Sequence, residues 1–259
     1  MWVRIVLIAL VFLSRPGTLL AETVSCGSMP PFAEGLTKEK QLELLLRRAV
    51  ACIREGKPAL SIEIFSEMIG LDPGNETAYL NRGNAYVQTG QFELGIADFS
   101  HVIGLKPETV DAWYNRGTAF IAARQFERGI ADLTEVIRLK PDFARAYCNR
   151  GLAFVRKGDY EKPLTDLDTG LRMDPNLPLC YYARGDLYFQ KGDHQHAVDD
   201  FTRGLQLTPN VEGLSKRAEA YEHLGEREKA LSDFRTVLKV APNFKTAQEG
   251  IKRLSPEQN

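Results

Sequence analysis

Tyr79-Leu80-Asn81-Arg82-Gly83 returns as Trp113-Tyr114-Asn115-Arg116-Gly117, as Tyr147-Cys148-Asn149-Arg150-Gly151 and as Tyr181-Tyr182-Ala183-Arg184-Gly185, each step 34 residues long. A second string keeps the same interval. Ile96-Ala97-Asp98-Phe99 is followed by Ile130-Ala131-Asp132-Leu133, Leu164-Thr165-Asp166-Leu167 and Val198-Asp199-Asp200-Phe201, with Leu231-Ser232-Asp233-Phe234 one residue early. Prolines 73, 107, 141, 175, 209 and 242 punctuate the series. A fixed period of this size is the mark of a stacked repeat array. Six units follow one another at 42–75, 76–109, 110–143, 144–177, 178–210 and 211–243.

Each unit reads as two helices. Tyr79, Gly83 and Tyr86 fall on one stripe of a 3.6-residue helix. Gly90 ends it, as Gly56, Gly158, Gly192 and Gly225 do elsewhere, because glycine takes the left-handed conformation at little cost. Ile96, Phe99, Val102 and Ile103 line the following helix, which stops at Lys106-Pro107 because proline cannot continue it. Gly83, Gly117, Gly151, Gly185 and Ala218 share one place on the first helices; Gly95, Gly129, Ala197 and Ala230 share one on the second. Glycine inside a helix costs up to about 1 kcal/mol, so its recurrence points to close helix approach. The expected knobs are Tyr86, Phe120, Phe154, Tyr188 and Tyr221, with Phe99, Leu133, Leu167, Phe201 and Phe234 facing them. Asp98, Asp132, Asp166, Asp200 and Asp233 have natural partners in Arg82, Arg116, Arg150, Arg184 and Arg217.

The period, the order aromatic–small–aromatic, the turns Gly90-Gln91-Phe92 and Gly158-Asp159-Tyr160, and the closing Leu105-Lys106-Pro107 resemble tetratricopeptide repeats. The resemblance covers about four-fifths of the chain and implies an all-α, right-handed α-solenoid, a superhelix of stacked helix-turn-helix repeats. The first copy departs from the pattern, with Leu45, Ala49 and Cys52, as suits an end repeat. Pro163 is a second departure: with Asp159 as cap it falls just past the first turn and distorts the helix locally. Thr37 is placed to start the first helix. Phe244, Ala247, Ile251 and Leu254 form the apolar stripe of a capping helix within 244–259.

Ahead of the repeats, Arg4 precedes an apolar run from Ile5 to Leu13, then Arg15-Pro16-Gly17 and Ala21. Nine apolar residues fall short of the roughly 20 that span a bilayer, so residues 1–21 read as a secretory signal peptide, with an uncleaved anchor as the alternative. A lipoprotein at Cys26 has little support in Thr23-Val24-Ser25. Residues 22–41 read as a partly disordered N-terminal segment. A secreted or periplasmic protein without stable membrane insertion follows. Four cysteines, 26, 52, 148 and 180, permit Cys26–Cys52 and Cys148–Cys180 bridges in such a compartment; free thiols remain the alternative.

With 33 basic and 34 acidic side chains and 44% hydrophobic content, the chain has no electrostatic footprint for nucleic acid and enough apolar mass to fold. The first helices are expected to line an inner wall in three rows. One row is Leu46, Leu80, Tyr114, Cys148, Tyr182 and Ser215; another is Ile53, Val87, Ile121, Val155, Phe189 and Glu222. Between them lie Val50, Asn84, Thr118, Leu152, Asp186 and Glu219. With Arg145 and Arg156 these define a partner-binding groove: Leu46, Leu80, Asn84, Val87, Tyr114, Thr118, Ile121, Arg145, Leu152, Val155, Arg156, Tyr182, Asp186 and Phe189. An apolar strip of this kind marks an interaction site. Its expected occupant is a peptide or helix of a partner protein, with homodimerisation or mere packing as alternatives. Docking of a C-terminal carboxylate, as the family's chaperone-binding members do, has only Arg145, Arg156 and Asn84 to rest on. Asn81, Asn115 and Asn149, one per repeat, read as structural. No catalytic residue, cofactor or metal site is expected. The rival is an enzyme or metal protein built on Asp193, His194 and His196, whose two histidines lack helical ligand spacing.

Overall fold

The computed structural model describes residues 25–27 and 36–255; the expected signal peptide, most of the 22–41 segment and the end of the tail lie outside them. Two units divide the chain between Ala123 and Arg124. The first holds α1 (Lys38–Arg54), α2 (Pro58–Leu71), α3 (Glu76–Gln88), α4 (Phe92–Leu105) and α5 (Val110–Ala122). The second holds α6 (Phe126–Leu139), α7 (Ala144–Lys157), α8 (Pro163–Met173), α9 (Pro178–Gln190), α10 (His194–Leu207), α11 (Val211–His223), α12 (Arg227–Val240) and α13 (Lys245–Leu254). Within each unit a helix packs on its sequence neighbours, and first helices also meet the next first helix, as α7 meets α9. This is the local order of an all-α solenoid of helix-turn-helix repeats.

The ends of the helices follow from single residues. Thr37, Asn75, Asp193 and Asn210 cap α1, α3, α10 and α11 by accepting from backbone N–H groups three residues on. Gly56, Gly90, Gly158, Gly192 and Gly225 hold φ between +71° and +87°, and in the third repeat Arg124 takes that place at φ +61°. Asp159 does not cap α8. That helix starts at Pro163, with Lys162 in the cap position, and is 11 residues long against 14 for α4, α6, α10 and α12. Proline lacks an N–H, and the first helical position is where none is needed; the helix gives up its opening turn instead of bending.

Packing runs from second helix to first. A Cβ on Gly83 would stand 2.6 Å from Phe99, one on Gly151 2.7 Å from Leu167, and one on Gly185 2.7 Å from Phe201. Phe99, Leu167, Phe201 and Phe234 are fully buried, each contributing about 1.5–3 kcal/mol through burial. The expected knobs Tyr86, Phe154, Tyr188 and Tyr221 are only half-buried, and of that row Phe120 alone is in the core. Cations lie over rings of this row. Arg82 lies over the Tyr86 ring, Lys162 over Phe154 and Arg217 over Tyr221, which suits rings that keep one face toward solvent.

Those arginines also link three helices each. Arg82 makes a two-pronged contact with Asp98, at 2.9 and 2.8 Å, and turns its remaining nitrogen to Ser66 Oγ at 3.0 Å. Arg150 does the same with Asp166 and Thr134, Arg184 with Asp200 and Asp168, and Arg217 with Asp233 and Thr202. Arg184 thus answers two carboxylates, and they hold its guanidinium above its ordinary value. Trp113, Tyr147 and Tyr181 donate to the carbonyls of Pro107, Pro141 and Pro175, securing each repeat's closing turn.

Both cysteine pairs are closed. Cys26 and Cys52 stand 4.5 Å apart at Cα, Cys148 and Cys180 5.0 Å. Cys26 is also held through its backbone, donating to Glu55 and accepting from Arg48. The second bridge needs room beside α8, which Gly170 provides where Val102 and Val136 stand in the preceding repeats: a Cβ on Gly170 would lie 2.6 Å from Cys148 Sγ. The far end of the second unit is covered by α13, whose Gly250 seats on the Phe234 ring. Arg253 pins it to Glu222 at 2.9 and 2.8 Å.

Candidate functional site

The first helices carry the candidate site, one face in each unit. In the first unit, Leu46, Leu80, Asn84, Val87, Tyr114, Thr118 and Ile121 are all half-buried. Leu80 packs against Val102, Ile103 and Ala112, and Val87 against Ile96 and Phe99. Leu46 rests on the cluster of Leu45, Phe65 and Met68. The Thr118 hydroxyl donates to the Asn115 carbonyl at 2.9 Å. This face is an apolar floor whose outer edges meet solvent.

In the second unit several expected wall residues are structural. Val155 is 7% exposed and packs with Leu167, Ala183 and Leu187, so it belongs to the core. Tyr182 is turned into the seam between repeats. Its ring lies on Gly204 and Gly213, and its hydroxyl donates to the Thr208 carbonyl at 2.7 Å. Burial raises this phenol to about 12. Cys148, in the same row, is consumed by its disulfide, and Ser215 is buried. Two of them reach the next repeat directly, Tyr182 at Gly213 and Cys148 at Cys180.

What remains at the surface of α7, α9 and α11 is mixed in character. Arg145 and Arg156 are exposed on α7, with Leu152 half-buried between them. Phe189 is half-buried on α9 beside Asp186. Asp186 is paired with Lys216 of α11 at 2.5 Å, with 14% of its side chain exposed. Burial pushes its carboxyl above the ordinary range, Lys216 and then Arg156 pull it back, and Glu212 adds to the rise. Glu219, half-buried two turns beyond Glu212, is likewise raised by burial. Lys216 and Glu212 are absent from the rows read off the sequence. The pairing of Lys216 with Asp186 spans 30 residues, an interval also seen in Lys106–Glu76 and Lys157–Glu127.

The Asp193-His194-His196 cluster does not converge. Asp193 caps α10 and holds His196 Nδ1 at 2.7 Å, while His194 turns away to stack on His223 with ring centroids 4.4 Å apart. Phe189 closes that pair edge-on. Among the described residues no group of three or more His, Cys, Asp and Glu side chains is arranged to hold a metal ion. No helix among them is long and apolar enough to cross a membrane. Asn81 and Asn149 donate back to the carbonyls of Thr77 and Arg145, one turn earlier in their own helices.

Models of the tetratricopeptide repeat match residues 76–109, 110–143 and 211–244, a further one matches 178–211, and a TPR repeat model matches 151–192. The chain belongs to the tetratricopeptide repeat family. Its repeats resemble solved structures over most of their length. The MamA fragment of Desulfovibrio magneticus aligns at 23% identity and a TM-score of 0.59, over 66% of this chain and 97% of that one. The pilF protein of Pseudomonas aeruginosa aligns at 15% identity and 0.69, over 83% and 99%. YrrB, described as a TPR protein with an unusual peptide-binding site, aligns at 17% and 0.53, over 74% and 99%. At these identities the likeness is one of fold. No curated protein sequence matches the tetratricopeptide repeat chain.

Proposed function

We propose that this tetratricopeptide repeat protein is an exported, non-catalytic scaffold that holds a peptide or helix of a partner protein against the faces of its first helices. The observation that carries the reading is, in the second unit, the combination of half-exposed apolar side chains with accessible charges, beside an apolar first-helix face in the first unit taken by itself. Leu80, Val87 and Ile121 supply the apolar part in the first unit, Leu152 and Phe189 in the second, the latter beside Arg145 and Arg156. Apolar burial provides affinity and polar neighbours set register. The fold of YrrB, whose description names a peptide-binding site, is compatible with such use. Export is supported by the two closed disulfides, which persist in oxidising compartments, and by the signal-like residues 1–21.

The test is capture from an envelope extract by wild type and by Leu152→Asp with Phe189→Asp, both first checked for equal helical content. Loss of a specific partner in the variant supports the reading, and unchanged capture overturns it. Light scattering across a concentration series addresses the homodimer: a mass that doubles with concentration and falls in the variant reassigns the face to self-association.

A further inference from the structure

Outside the Asp186–Lys216 pair, the charges on the second unit's first-helix face are sorted by helix. Arg145 and Arg156 lie eleven residues apart on α7, three turns of one face. Both are exposed, and neither makes an ion pair among the described residues. Glu212 and Glu219 lie seven apart on α11, two turns of one face, and they too make no ion pair there. Between the two helices stands α9, whose own carboxylate, Asp186, is already answered by Lys216. Asp186 nonetheless feels both Arg156 and Glu212, so the two sets of charges border the same strip. Elsewhere in this unit, neighbouring repeats settle their charges by direct bridges, as in Lys157–Glu127 and Lys191–Glu161. Here the intervening helix keeps the basic and acidic edges apart.

We propose that this face binds an extended partner segment of mixed charge, with carboxylates over Arg145 and Arg156 and basic groups over Glu212 and Glu219. The inference rests on the groove reading above and names the chemistry of its occupant. Packed helices lie about 8–10 Å apart, so α7 and α11 are separated by roughly 16–20 Å. At about 3.3 Å per residue that is some six residues of extended chain. The segment therefore carries acidic and basic side chains about six positions apart, with apolar residues between them over Leu152 and Phe189. Charge complementarity of this kind sets partner choice and register more than affinity.

The probes are fluorescein-labelled peptides of about eight residues with an apolar centre: one with Asp at one end and Lys at the other, one acidic at both ends, one basic at both and one uncharged. Polarisation at low salt is expected to rank the mixed peptide at least tenfold above the others with wild type, an advantage that shrinks as salt screens it. Arg145→Glu with Arg156→Glu is expected to move the preference to the basic peptide, and Glu212→Lys with Glu219→Lys to the acidic one. Because each variant gains a ligand, an unfolded variant is not mistaken for support. Equal binding of all four peptides by all three proteins overturns the charge assignment and leaves the groove reading standing. Absence of binding by every peptide overturns both. A wild-type dimer in sedimentation that either double variant abolishes also overturns the assignment, in favour of two copies pairing their faces.

Discussion

At Gly185 two effects of opposite sign meet. Alanine is the better helix former by about 1 kcal/mol, yet its Cβ would stand 2.7 Å from Phe201, a fully buried ring with no room to withdraw. Crowding wins. Gly185→Ala is expected to lower stability by about 1–2 kcal/mol in urea unfolding, and an unchanged or raised midpoint would contradict the packing described. The glycine column was readable from its recurrence, but its occupant was not: both Phe201 and Tyr188 recur at the same period, and a period does not say which ring lies on the glycine. His194 carries the pH dependence at this scale. Burial, and after it the nearby His223, lowers its affinity for a proton below the ordinary value of 6.5, against the pull of Asp193. Protonation is then easier in the unfolded chain, so the stability at this site is complete above pH 6.5 and is lost as pH falls below it. His194→Gln is expected to lose less Tm than wild type between about pH 7 and about pH 5; an equal or greater loss would contradict the assignment.

The helix pair is held at its waist by one guanidinium. Asp166 is buried, and Arg150 is bound to it at 2.7 and 2.8 Å while also reaching Thr134 of the preceding repeat. Asp166→Ala leaves a largely buried cation without its carboxylate and is expected to cost about 3 kcal/mol, read as a shifted midpoint in denaturant. A cost under about 1 kcal/mol would place this pair among ordinary surface bridges. The Arg–Asp partnership is legible because both columns share the period. Its third member is equally periodic, at Ser66, Ser100, Thr134, Asp168 and Thr202, but small polar residues on a helix carry no pattern that separates them from solvent-facing ones. Pro163 shows the other limit. The proline was visible, yet whether a helix bends or starts late depends on the competing first turn, which the neighbouring residues do not decide.

Over the whole molecule, the described helices and their order follow from the repeat, while the exposed face does not. Leu80 and Leu152 stay at the surface of their units, but Tyr182, Cys148 and Val155 turn inward, because each meets a particular residue of the next repeat, Gly213, Cys180 and Leu187, and a period does not say which member of a row finds such a neighbour. The disulfides belong to this scale as well. Closing loops of 26 and 32 residues stabilises the fold by about 3.5 kcal/mol each in the chain-entropy account. Thiol titration of unfolded, unreduced protein is expected to find no reactive cysteine; four reactive thiols would remove both bridges and the support they lend to export. The central claim is that a partner sits on the first helices. Hydroxyl-radical footprinting of the captured complex tests it most directly: the account predicts protection of Leu152, Phe189 and His223, with Met173 and Val240 on the second helices unchanged. Protection of Met173 and Val240 alone would contradict it.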